Sequence, residues 1–231
     1  MCKSRSLILV PVIHTSVDLG SLAKDIAKRG IAGLGEDVWK GHIRTIEGFW
    51  DSIMDYFDSL DMSPGMKIYQ DGLVADGEIG QKIVEDCARA GSRNYELVFR
   101  LIKQGAVLVK TEDLKLVLEE RDKLLSITKA KSNFQRILAF IRYKFAKGKL
   151  LNKRDQFIAH RINETLKSEE KGILFIGASH NVGNGLDSDI KVTEMKDMQK
   201  INQYQQMLLR CNKNKTRFEE LGKYLVSEVK I

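Results

Sequence analysis

Two stretches decide the fold: Ser6-Leu7-Ile8-Leu9-Val10-Pro11-Val12-Ile13-His14 and Gly172-Ile173-Leu174-Phe175-Ile176-Gly177-Ala178-Ser179-His180. Each is a short, nearly unbroken apolar run, the pattern of a strand buried on both faces rather than of a half-exposed one. Each runs into a histidine. Three further strands are expected over Met66–Tyr69, Ala106–Val109 and Ile190–Val192. Between the strands the apolar positions follow helical spacing: Leu19–Arg29, Glu36–Leu60, Gly77–Ala90, Asn94–Lys103, Leu114–Ile127, Phe134–Phe145, Asn152–Leu166, Lys196–Cys211 and Phe218–Val229. Ser16 or Asp18 is expected to cap the first helix, Gly30 to stop it, and Ile31–Gly35 to form a loop. Strands separated by helices imply an α/β fold with a mostly parallel central sheet, helices on both faces and a helical insert. The whole of 1–231 reads as a single α/β domain, with the insert at about 114–166 and C-terminal helices at about 196–229.

Composition bounds the function. The 231 residues are 43% hydrophobic and 30% charged with only 2 Pro, enough apolar material for a core and no sign of an interdomain linker. Leu7–Ile13 follows Lys3 and Arg5 as a signal peptide might, but it is short, contains Pro11 and lacks a small-x-small cleavage site. No apolar run approaches a bilayer span, so no membrane is expected. Cys2, Cys87 and Cys211 form neither a metal pair nor an even disulfide set, which fits a cytoplasmic protein. Cys87 falls in a helical pattern as a small core residue. The net charge of +7 is concentrated: ten basic residues and no acidic one lie between Lys123 and Arg154, and Arg210–Arg217 adds four more.

In open parallel sheets, ligands bind beyond the carboxyl ends of the strands. Here those ends carry His14, Asp71, Glu112 with Asp113, and His180. A neutral imidazole takes a proton from water near neutral pH, or ligates a metal through one nitrogen. His14 and His180 are therefore expected to meet at one rim as the centre of the site. His14 would be the general base and His180 its partner, and Asp71 would orient an imidazole. Arg154 would bind a negative group of the substrate. Gly177, Ser179, Asp155 and Glu112 complete the set as candidates for holding substrate, the 177–180 turn by offering N–H groups to an oxyanion. His42 and His160 are expected on solvated helix faces. There is no GK[ST] loop, no GxSxG elbow and no HExxH helix.

The order of these features resembles the superfamily that joins TraB, Tiki, the erythromycin esterases and the ChaN haem-binding proteins. That pattern has GxxH at two strand ends, a glutamate after the second strand, and an Arg-Asn-led helix before the last GxxH. Gly177 and His180 match the second GxxH. His14 matches the first with Pro11 in place of glycine, Asp71 stands at the glutamate, and Arg154–Asp155 stands at Arg-Asn. The resemblance implies a hydrolytic or ligand-binding cleft, with a divalent metal (Mn, Co or Zn) on His14, His180 and Asp71 as in the Tiki-type proteases, or a metal-free histidine mechanism as in the esterases.

The leading expectation is a hydrolase that cleaves an ester, amide or related bond of an anionic small molecule or peptide. The alternative is a nucleic-acid or phosphate-ligand binding protein using the basic 123–154 segment, where Phe134, Phe140, Tyr143 and Phe145 interleave with the cations. The helical spacing there is expected to turn the aromatics toward the core.

Overall fold

A computed structural model describes residues 4–15, 17–18, 23–60, 64–130, 132–208 and 210–231. Five parallel strands form one sheet: β1 (Arg5–Val12), β2 (Lys67–Gln70), β3 (Val107–Val109), β4 (Lys171–Gly177) and β5 (Ile190–Glu194), in the order β3-β2-β4-β1-β5. The helices are α1 (Ala23–Leu34), α2 (Glu36–Asp58), α3 (Gly77–Arg89), α4 (Arg93–Lys103), α5 (Leu114–Thr128), α6 (Asn133–Thr165), α7 (Met198–Leu208) and α8 (Lys215–Val226). The expected α/β architecture is what the chain adopts.

The two decisive runs lie side by side. β1 and β4 pair in parallel from Ser6 with Lys171 to Val12 with Gly177, so both strands end at the same level. Alternate residues face opposite layers. Val10, Val12, Ile173 and Phe175 join Phe49, Trp50, Leu97 and Leu225 in one core. Leu7, Leu174 and Ile176 join Ile158, Ala159 and Ile162 of α6 in the other. The sheet is thus covered on both faces, which explains why its strands read as continuous apolar runs.

The C-terminal end of α6 is fastened to the start of β1. Arg5 donates to the Asn163 and Leu166 carbonyls at 3.0 and 3.1 Å, and to Asp189 and Asp187 at 2.6 to 2.8 Å. A cation at this end suits the helix dipole. On the opposite face, buried Trp50 of α2 donates its indole N–H to the Ile13 carbonyl at 2.9 Å, which holds the backbone immediately before His14.

Three local expectations are corrected. Ile31–Leu34 is helical, and Gly30 lies inside α1 rather than ending it. The Trp39 ring packs so closely on Gly30 that a Cβ there would lie 2.2 Å from it. The segments Phe134–Phe145 and Asn152–Leu166 belong to one helix of 33 residues, about 50 Å long at the usual rise. Gly148 sits in its middle with open space around it, a local cost of about 1 kcal/mol that the surrounding helix formers absorb. His42 is buried, not solvated: its Nδ1 lies 3.0 Å from the Tyr204 hydroxyl, and burial pushes its pKa down to about 4. His160 is exposed, as expected, and lies 3.2 Å from Glu164. The helix expected over Leu19–Arg29 is present from Ala23; its expected first residues, 19–22, and the Ser16 cap fall outside the described residues.

Trp50→Phe should lower the unfolding free energy by about 1–3 kcal/mol, the cost of leaving the buried Ile13 carbonyl unmet, as read by urea denaturation. A change within about 0.5 kcal/mol would show that this bond does not hold the strand exit.

Candidate functional site

The carboxyl edge of the sheet opens onto a cleft of about 580 Å³ whose walls include His14, Asp18, Asp71, Arg154, Gly177, Ser179 and His180, with Tyr143, Lys147 and Leu151 from α6. Parallel pairing of β1 with β4 is what brings His14 and His180, far apart in sequence, to one rim. Their surroundings differ. The His180 side chain is 6% exposed and the His14 side chain 59%.

His180 is held from both sides. Its Nδ1 lies 2.5 Å from Asp155 Oδ1, and its Nε2 lies 3.5 Å from Asp71 Oδ2. Asp155 also accepts the Asn181 N–H at 2.9 Å. Burial alone disfavours the imidazolium, but the Asp155 hydrogen bond and the two carboxylate charges outweigh it, and the His180 pKa is raised. Burial likewise works against the Asp71 carboxylate. His180, Arg154 and the Gly177 N–H (3.3 Å) overcome it and hold Asp71 below the ordinary range. Asp71 reaches this position from a tight turn at the β2 exit, where Gly72 has φ 79°, a left-handed conformation that suits glycine.

Arg154 lies beneath this pair. Its Nη2 donates to Asp71 Oδ1 at 2.6 Å and to Glu112 Oε1 at 2.5 Å, its Nε donates to both Glu112 oxygens at 3.1 and 3.2 Å, and its Nη1 meets Glu120. Every guanidinium nitrogen is engaged by a carboxylate of the protein. The expected role as a clamp for the substrate's negative group is therefore replaced by a structural one. Both Glu112 oxygens are bound by Arg154, which leaves Glu112 no free acceptor for the substrate contact expected of it. Burial, against the pull of Arg154, pushes its pKa up to about 7. Asp155 braces His180 instead of contacting substrate, and the Gly177 N–H is spent on Asp71 rather than on an oxyanion.

A metal on His14, His180 and Asp71 does not fit this geometry. Both Asp71 oxygens are engaged, by Arg154 and by the Gly177 N–H, and His14 Nδ1 stands 4.0 Å from Asp18. Among the described residues, no three His, Cys, Asp or Glu side chains are grouped to hold a metal ion.

A second group of polar residues in the cleft was not legible in the sequence. Asp18 accepts the Thr15 N–H and hydroxyl through Oδ2. Its Oδ1, with Gln70 Oε1, Ser92 Oγ and Asn94 Oδ1, is buried without a hydrogen-bond partner among the described residues. Gln70, Ser92 and Asn94 are each only 2% exposed, yet all four residues line this one cleft. An unmet buried polar atom costs roughly 1–3 kcal/mol, and three of these four are obligate acceptors in the assigned amide orientations. Cys87 also lines the cleft rather than the core. Burial, with Asp18 and Asp86 nearby, raises its thiol pKa, away from the thiolate a nucleophile needs.

The basic half of α6 departs from expectation too. Phe134, Phe140 and Phe145 are exposed instead of facing the core, and Tyr143 alone among these aromatics turns to the cleft. Comparison of the chain with protein-family models, curated proteins and solved structures found no match.

Stability should follow the proton on His180. A raised folded pKa contributes stability that is complete below the unfolded value of 6.5 and is lost as pH rises through the folded value. Glu112, raised from 4.5 to about 7, adds a fall of the same sign between those values. Asp155→Asn should flatten the decline above pH 6.5 and leave the lower part in place, as read by urea unfolding across pH. An unchanged upper slope in the variant would mean that Asp155 does not hold the imidazolium. Arg154→Met should cost about 3–5 kcal/mol, because it strands buried Glu112 without its cation. Arg154→Lys should recover only part of this, since an ammonium cannot serve three carboxylates as the guanidinium does.

Proposed function

We propose that the protein is a hydrolase that cleaves an ester, amide or related bond in this cleft without a bound metal. The observation that carries the reading is the Asp155–His180–Asp71 arrangement at the rim shared with His14. Hydrolysis by water needs a base for the attacking water and a proton for the oxyanion or leaving group. His14, open to solvent, takes the water's proton. His180, kept as the imidazolium by its two carboxylates, presents its Nε2 proton to the developing oxyanion and then to the leaving group. Such a division between two like groups rests on their different surroundings, one ring open and one buried between carboxylates.

The unpartnered acceptors in the cleft support a reading of the substrate class. With Arg154 consumed by the protein, nothing in the strand-end network is reserved for a substrate carboxylate or phosphate. Asp18, Gln70 and Asn94 instead call for hydrogen-bond donors. The substrate carries an amine, amide or hydroxyl array beside the scissile bond, in place of the anionic group expected from composition. The order of motifs shared with the TraB–Tiki–erythromycin esterase pattern supports a hydrolytic cleft at this edge, and the metal-free esterase chemistry is the version its geometry favours.

Turnover of aminoacyl p-nitroanilides, which carry a free ammonium, should exceed that of p-nitrophenyl acetate relative to their uncatalysed rates. His14→Gln and His180→Gln should each reduce kcat by about 10²–10⁴ with the fold intact by circular dichroism. Asp18→Asn should raise KM for the amine-bearing substrates alone. Wild-type rates in both histidine variants would end the hydrolase reading. An Asp18→Asn enzyme with unchanged KM would end the donor-bearing substrate class while leaving the chemistry standing.

A further inference from the structure

The side of α6 turned away from the cleft carries a surface that the proposed reaction does not use. Phe134, Ile137, Leu138 and Phe145 follow one another at helical spacing, which gathers them into an arc of about 100°. All four are exposed, Phe134 at 75% and Phe145 at 84%. Exposed Arg142 and Lys149 border the arc on one side, and exposed Lys144 borders it on the other, with exposed Phe140 beyond. No carboxylate occurs between Lys123 and Arg154. Of the cleft-lining residues of this helix, Tyr143 and Arg154 fall roughly opposite the arc.

Four exposed large apolar side chains on one helical arc mark an interaction surface rather than the singly scattered apolar residues of ordinary surface. Its charge selects the partner. A second copy seated face to face would oppose cation with cation. A nucleic acid would satisfy the cations, but Ile137 and Leu138, which form the two edges of the arc, have no π face on which a base can stack. An apolar arc bordered on both flanks by Lys and Arg suits a helix lying in the plane of an anionic bilayer, its stripe among the acyl chains and its cations on the phosphates. No described helix is long and apolar enough to cross a membrane, so the contact is with the surface. We infer that the outer face of α6 docks the protein on an anionic lipid membrane, with the cleft opening on the other side of the same helix.

Co-sedimentation of the full chain with vesicles tests this. Vesicles of equal parts phosphatidylcholine and phosphatidylglycerol should retain the protein at least about tenfold better than phosphatidylcholine alone, and added salt should weaken retention. Phe134→Ser with Phe145→Ser should lower partition about tenfold or more. Arg142→Glu with Lys149→Glu should do the same by an independent route. Both variants change exposed residues and should melt like the wild type. Equal retention on both lipids, or wild-type retention by both variants, overturns the inference. It is equally overturned if the variants lose binding to a single-stranded oligonucleotide but not to lipid, or if they convert a solution dimer to a monomer.

Discussion

The arrangement depends on one buried cation. Arg154 sits on α6, yet its guanidinium binds Asp71 from the β2 exit, Glu112 from the segment after β3, and Glu120 from α5. Three separate parts of the chain are therefore tied to one point at the carboxyl edge of the sheet. Burying charge this way is expensive and is tolerated only when hydrogen bonding is nearly complete, as it is here. The return is positional. Asp155, the next residue on the helix, points about a third of a turn away and meets His180. Rotation of α6 would break both contacts together, so the network that fixes the helix also fixes the imidazole.

The electrostatics of the edge follow from that placement. One guanidinium among three carboxylates leaves the inner site rich in negative charge, which holds His180 protonated and drives Glu112 toward its neutral form. His14, on the neighbouring strand exit, stands in solvent. The same protein that is strongly basic overall thus presents a cleft lined by several carboxylate and amide acceptors, with Lys147 also at its wall, while exposed Arg142 and Lys149 border the outer arc of α6.

Much of the fold was legible because a buried parallel strand leaves a plain trace. The runs ending at His14 and His180 had no polar interruption, and two parallel neighbours must present their ends at one edge. Asp71 was legible at that edge for the same reason, and the Arg154–Asp155 pair from its place on the helix ahead of β4 and from the motif resemblance, but their roles were not. Arg154 could be read as a clamp because nothing local in the sequence announces that Glu112 and Glu120 converge on it. His42 gave no sign of burial, since its partner Tyr204 lies 162 positions away. Ser92 and Asn94 flank the start of α4 as ordinary helix-start residues would, and only packing seals them into the cleft wall. The outward turn of Phe134 and Phe145 was missed because helical periodicity shows which residues share a face, and does not say whether that face is covered.

The central claim is that His180 is an imidazolium held between Asp155 and Asp71. Nitrogen NMR of the histidine rings across pH measures this directly, with buried His42 as a neutral internal reference. The account expects the His180 ring to remain doubly protonated above pH 6.5, the value for an unperturbed imidazole, while His42 stays neutral far below it. A His180 ring that is already neutral at pH 6.5 or lower would contradict the carboxylate clamp and the acid chemistry built on it.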